Sequence, residues 1–284
     1  MHTRLVAICV ALGSAAPALA GIAFHGIDSA ATSTTLFGGD RRLDAMGFLG
    51  LGQSFGNDNF LVWDNGALTS NGLTYGWSDA VPRDMGTSGN VWEANPDRAD
   101  AATPFAGEGS STGTIGEVFG AFGAGYKNLS WILDGEGPTP WTLDLFFAPG
   151  QWLLADDNAL TVELALLERG GNSDFNVYGI RTDNTLTPAL HLARASMTSA
   201  GWSLDTLEIG GGQPVYGAGI SLDASWGALR GFRVEGLPGF GGPDLVAIGS
   251  AWPVPAPGVT VILAAGGLMG ATRWRRRRDG RVTH

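Results

Sequence analysis

Trp141-Thr142-Leu143-Asp144-Leu145-Phe146-Phe147 places Trp141, Leu143, Leu145 and Phe147 on one face of an extended chain and Thr142 and Asp144 on the other. A period of two is the mark of a strand with one face on a core and one toward water. The next run repeats it, with Leu160, Val162, Leu164 and Leu166 opposite Thr161 and Glu163. Asp156-Asp157-Asn158 between them is turn chemistry, because short Asp and Asn side chains bond amides two residues on. The two runs are therefore expected to form an antiparallel pair.

Working outward, the same reading marks strands at residues 60–63, 129–133, 175–180, 190–193, 217–222, 231–235 and 245–251. Residues 236–243 form a loop before the last of them, and the Gly/Ser/Thr-rich residues 107–113 an exposed loop. Residues 40–46 and 97–102 read as short helices or turns. Glycine supplies 45 of 284 residues, more than twice the usual ~7%, and no long helical period appears between the two ends of the chain. Many short strands joined by glycine-rich turns predict an all-β fold, a β-sandwich or jelly roll, over residues 21–251.

The ends differ from this middle. Arg4, the apolar residues 5–12 and Ala18-Leu19-Ala20 make a secretory signal peptide over residues 1–20, with cleavage after Ala20. The one cysteine, Cys9, leaves with it, so the exported part forms no disulfide. Removing Arg4, Asp279 and the six arginines of residues 273–281 from totals of 27 acidic and 17 basic residues leaves 26 against 10. Such an excess of negative charge argues against a nucleic-acid partner.

Residues 252–284 form a tail of three pieces: Val254-Pro255-Ala256-Pro257-Gly258, an apolar segment at 259–274, and Arg275-Arg276-Arg277-Arg278. The uninterrupted apolar run, 259–272, is about 21 Å long as a helix at ~1.5 Å per residue. That is short against ~30 Å of bilayer hydrocarbon, and Trp274 extends it to the headgroup level. Clustered arginines after an interfacial tryptophan place the C-terminus on the cytoplasmic side and the bulk of the chain outside. The expected transmembrane helix therefore covers 259–274, with Arg275 to Arg278 as the membrane stop.

This order of proline motif, apolar helix and arginine cluster resembles the PEP-CTERM sorting signal of bacteria, which is read by an exosortase. The family's Pro-Glu-Pro stands here as Pro255-Ala256-Pro257. A second resemblance, to a group of exosortase-dependent surface proteins, rests on Lys127-Asn128-Leu129-Ser130-Trp131-Ile132-Leu133-Asp134-Gly135-Glu136, Trp141 to Phe147, Glu168-Arg169-Gly170-Gly171-Asn172-Ser173-Asp174 and Gly242-Pro243-Asp244-Leu245. Both imply export through the inner membrane, processing by an exosortase with Val254, Pro255, Ala256, Pro257 and Gly258 as the processing motif, and a place at the cell surface or outside it. They imply location rather than chemistry.

Candidate chemistry is sparse. Gly52-Gln53-Ser54-Phe55-Gly56 fits a nucleophile elbow, which needs a strand before it, a helix after it and a later acid and histidine. The following residues 57–63 read instead as a turn into a strand, and His191 is the only later histidine of the exported part. Paired carboxylates for glycoside hydrolysis need only meet in space, yet no single strand sets two beside aromatics. Trp77, Trp92, Trp202 and Trp226 lie near expected turns and are candidates for a sugar-binding platform, or else fill the core. In residues 168–174, two glycines and Asn172-Ser173-Asp174 suit a structural hairpin, in which Arg169 pairs with a nearby carboxylate such as Asp174. The sharper alternative is a calcium site with Glu168, Asn172 and Asp174 as oxygen ligands. The expectation is a non-enzymatic surface or extracellular-matrix protein with a structural or adhesive role and exopolysaccharide as a partner. The alternative is a carbohydrate-binding module.

Overall fold

The computed structural model describes residues 21–37, 40–52, 54–56, 63–83, 94–98, 111–122, 126–127, 129–135, 139–204, 212–250 and 254–255. The signal peptide 1–20, the expected span 259–274 and Arg275 to Arg278 lie outside them. Among the described residues no helix is long and apolar enough to cross a membrane.

The fold is all-β. The first part of the chain carries β1 (Ala23–Phe37), β2 (Asp40–Phe48), β3 (Ser54–Gly56), β4 (Asn65–Ser70), β5 (Leu73–Gly76), β6 (Val81–Pro82) and β7 (Asn95–Arg98). Next come β8 (Thr112–Gly113), the one-turn helix α1 (Ile115–Phe119), β9 (Ala121–Phe122), β10 (Tyr126–Lys127), β11 (Trp131–Asp134), β12 (Trp141–Phe146) and β13 (Gln151–Leu154). The last part holds β14 (Leu164–Arg169), β15 (Phe175–Arg181), β16 (Leu190–Leu192), β17 (Thr198–Leu204), β18 (Gln213–Ser221), β19 (Ala228–Gly236), β20 (Leu245–Ser250) and β21 (Val254–Pro255).

Two antiparallel sheets dominate. The first runs β3-β2-β1-β18-β14-β20-β11-β7, and the second runs β16-β15-β19-β12-β4-β5. Leu164, Leu166, Ile220 and Ile248 of the first sheet share one apolar cluster with Leu143, Leu145, Phe232 and Val234 of the second. The sheets thus lie face to face over a common core. Trp63 ties them further: its ring stacks on Phe147 at 5.0 Å, meets Phe232 edge-on at 6.2 Å, and its Nε1–H donates to the Ile248 carbonyl at 2.7 Å.

β12 keeps the alternation read from its sequence, with Trp141, Leu143 and Leu145 buried and Thr142, Asp144 and Phe146 half-buried. Its expected partner is corrected. β12 lies between β4 and β19, whereas residues 164–169 form β14 between β18 and β20 in the other sheet. Asp156-Asp157-Asn158 does turn the chain, the Asp156 carboxylate accepting the Asn158 amide at 2.9 Å, but it carries the chain from one sheet to the other.

The reason lies in β14, whose six residues are all buried. A strand covered on both faces reads as a continuous apolar run, and Leu164-Ala165-Leu166-Leu167 is one. Ala165 and Leu167 enter a second apolar cluster with Ile27, Leu43, Met46 and Phe48, so the first sheet curls and its own strands β1 and β2 pack residues against the outer side of β14. The expected helix or turn at 40–46 is accordingly the strand β2, its apolar residues drawn to that second core. The expectation at 97–102 is likewise corrected in its described part: Asn95–Arg98 is the strand β7, paired with β11 along Trp131 to Asp134.

Removing a branched side chain from the shared core leaves a cavity beneath two sheets. Leu166→Ala, fully buried, is expected to cost about 2–5 kcal/mol, whereas Leu160→Ala, 69% exposed, should stay within about 0.5 kcal/mol. Urea unfolding of the two variants beside wild type measures both.

Candidate functional site

Glu168 and Arg169 end β14 inside the protein, 0% and 1% exposed. The Arg169 guanidinium donates to the Asp244 carboxylate from Nε at 3.1 Å and from Nη2 at 2.7 Å, with Asp134 at 3.8 Å. Burial works against its charge, but the carboxylates of Asp244 and Asp134 outweigh burial and raise its affinity for the proton. Three strand ends, of β14, β11 and β20, meet on this one cation.

The turn beyond it follows from glycine chemistry. Gly170 and Gly171 adopt φ of +101° and +66°, values that L side chains rarely take, and a side chain on Gly171 would also drive into the Tyr216 ring. The Gly171 amide donates to Glu168 Oε2, while Ser173 Oγ donates to Asn172 Oδ1 at 3.0 Å and to the Gly242 carbonyl at 3.2 Å. The structural hairpin is present. Its expected ion pair is corrected: Asp174 binds Arg194, from Nε at 2.9 Å, Nη2 at 3.1 Å and the backbone amide at 2.8 Å. These bonds to Arg194 hold the Asp174 carboxyl below the usual carboxylate range. Arg169 cannot serve it because Asp244, brought in by β20, holds that guanidinium.

The calcium candidates are engaged in the same contacts. Glu168 accepts from an amide, Asn172 Oδ1 from a hydroxyl, and both Asp174 oxygens from Arg194. Asp156, in the turn at residues 156–158, accepts from Thr161 Oγ at 3.0 Å. Among the described residues no three His, Cys, Asp or Glu side chains are grouped to hold a metal. Chelator is therefore expected to leave the thermal midpoint unchanged, as scanning calorimetry with EDTA and with added calcium would measure.

Burial, reinforced by the charge of Asp244, raises the Glu168 carboxyl to about 8, and burial raises Glu163 to about 8 as well. An acid whose folded pKa exceeds its unfolded value stabilises the fold fully in acid and loses that contribution as pH rises through the folded pKa. Stability should therefore fall between about pH 4.5 and 8, the interval over which the unfolded chain has released these protons and the folded chain has not. Glu168→Gln should flatten that fall, as urea unfolding at pH 5 and pH 8 would read.

Other sequence candidates are dispersed. Ser54 opens β3, paired with β2, rather than standing on a turn between strand and helix, and His191 lies on β16 in the other sheet with Nδ1 3.2 Å from Asn176 Oδ1. Of the tryptophans, Trp226 is 2% exposed in the core, Trp77 and Trp202 are packed part-buried against the two cores, and Trp92 lies outside the described residues. Of the processing motif, Val254 and Pro255 form β21 on β13, opposite Trp152 and Gln151. Ala256, Pro257 and Gly258 lie outside the described residues.

The arrangement that single-strand reading missed is the outer face of the second sheet. Register puts Tyr178 beside Arg233 and Arg233 beside Asp144, with Asn176, Glu235 and Thr142 in the next row. Arg233 grips Asp144 through Nε at 2.6 Å and Nη2 at 2.7 Å. Glu235 Oε2 accepts from Tyr178 Oη at 2.9 Å and Asn176 Nδ2 at 3.0 Å. Burial, with that bond to Glu235, raises the Tyr178 phenol above its ordinary value. Two carboxylates and an aromatic thus share a face, contributed by three strands.

At one end of this face the polar groups change character. A cleft of about 400 Å³ opens among Asp64, Phe146, Gln151, Trp152, Thr182 and Arg230. The Arg230 guanidinium lies over the Phe146 ring, 4.5 Å from its centroid. No family model, curated protein or solved structure matches the chain. The cleft is therefore read from its own residues: uncharged and charged hydrogen-bonding groups around two aromatic rings, a lining that suits a polar ligand with apolar faces.

Proposed function

We propose that the chain is an exported bacterial protein of the cell surface or extracellular matrix, built as a jelly roll and processed at its tail by an exosortase. The jelly-roll reading is supported by strand order. Numbering β11, β12, β14, β15, β16, β18, β19 and β20 from one to eight, the first sheet reads 1-8-3-6 and the second 2-7-4-5, the pattern of two interleaved Greek keys. The observation that carries the tail reading is how near the proline motif lies to the last strand of the shared core. β20 adds Leu245 and Ile248 to the shared core, and three residues separate it from β21, Val254–Pro255, the first two of the proline motif's five residues. The apolar segment and arginines follow at once in the sequence.

A structural or adhesive role agrees with this build. Two apolar clusters are buried, Glu168 and Asp244 accept from donors within the fold, and the exported part carries an excess of acidic groups. The cleft supports a second reading, a carbohydrate-binding module at the cell surface, since half-exposed aromatics beside hydrogen-bonding side chains suit sugar rings.

Processing predicts a specific C-terminus. Mass spectrometry of protein released from the cell surface should find no peptide beyond about residue 258, and recovery of intact Arg275 to Arg278 in that fraction would refute removal of the tail.

A further inference from the structure

Two kinds of polar residue stand on the outer side of the second sheet. Those in its middle are already partnered: Arg233 with Asp144, and Glu235 with Tyr178 and Asn176. Round the cleft the side chains of Asp64, Gln151, Thr182 and Arg230 make no hydrogen bond or ion pair among the described residues, although Asp64 and Thr182 are exposed and Gln151 and Arg230 half-buried. We infer that this cleft binds a neutral hexose polymer, with Asp64, Gln151, Thr182 and Arg230 donating to and accepting from ring hydroxyls and Trp152 lying against a sugar face.

The chemistry favours that class over others. Vicinal hydroxyls present donors and acceptors together, and the cleft offers both: a carboxylate that only accepts, a guanidinium that only donates, an amide and a hydroxyl that do both. The apolar C–H face of a pyranose needs an aromatic partner, and Trp152 and Phe146 are half-buried at the cleft. A polyanion is disfavoured. Arg230 is the one cation of the lining, which also holds Asp64, on an exported part that carries 26 acidic residues against 10 basic, and such a field repels an acidic polymer. The cleft's volume falls in the ~300–1,000 Å³ range of small-molecule sites, and it opens to solvent at strand ends, where Asp64 and Thr182 are exposed.

The site is also held in place. Gln151 and Trp152 lie on β13, which pairs through Leu153 and Leu154 with β19 and through Gln151 and Trp152 with β21. Phe146 is fixed by the register of β12 between β4 and β19, and the Asp64 backbone by the hydrogen bond its N–H donates to the Phe146 carbonyl at 3.1 Å. A ligand thus meets a preformed surface and loses little affinity to ordering the protein.

This inference rests on the carbohydrate-binding reading, and the test separates the two. Titration calorimetry of the full-length chain in a sugar-free detergent uses cellohexaose and laminarihexaose as neutral probes and hexaguluronate as the acidic one. Binding of a neutral hexasaccharide, weakened at least tenfold by Trp152→Ala and by Asp64→Ala but unchanged in Tyr178→Phe, supports the cleft. Asp64 is exposed, so its variant remains informative should Trp152→Ala fold poorly. Neutral-sugar binding that survives both cleft variants overturns the site while leaving the carbohydrate reading standing. Binding of hexaguluronate alone overturns the neutral class. Absence of binding to all three overturns both.

Discussion

A buried guanidinium holds the strand ends of this protein together. Arg169 takes Asp244 in two hydrogen bonds and stands near Asp134, so the ends of β14, β11 and β20 converge on one charge. Deleting one partner of such a buried pair costs about 3–5 kcal/mol, because the remaining charge is left without compensation. The dependence is therefore asymmetric: the pair as a unit gives specificity of strand placement, and half of it is worse than none. The turn at Gly170 and Gly171 and the loop before Asp244 are shaped around this contact, with Ser173 reaching the Gly242 carbonyl and Gly170 donating its amide to the Pro214 carbonyl at 2.8 Å.

The first sheet is a middle layer. One face of its central strands meets the second sheet in the larger core, and the other meets residues of β1 and β2, where the same sheet curls back on itself, in the smaller one. Among the described residues the second sheet is covered on one side, and Thr142, Asp144, Asn176, Tyr178, Arg233 and Glu235 stand half-buried on its outer side. Polar groups there can bond one another, water or a ligand. In the middle of the face they satisfy one another; at the cleft they are available, and that difference is what makes the cleft the place where recognition would occur.

The cleft and the start of the tail share β13. Its backbone holds Val254 and Pro255, and residues of the same strand line the cleft. On the reading proposed above, whatever occupies the cleft sits next to the segment by which the protein is processed, so that recognition and attachment would be arranged at one end of the body.

Much of the local structure was legible in residue order. The period of two in Trp141 to Phe147 determined a half-buried strand, Asp156-Asp157-Asn158 a turn, and Gly170-Gly171 a backbone with positive φ, because each depends on neighbours within a few residues. Partnership was not legible. The sequence put Arg169 near Asp174, five residues on, but the fold brings Asp244 to Arg169 and Arg194 to Asp174. It likewise set β12 against the run that became β14, where antiparallel register instead joins β12 to β4 and β19. Alternation determines which face a side chain takes and says nothing about which strand lies alongside, since any half-buried strand offers the same ladder of amides and carbonyls. For the same reason the row of Tyr178, Arg233 and Asp144 and the cleft beyond it, whose residues are drawn from positions 64 to 230, existed only once the tertiary structure had chosen the neighbours.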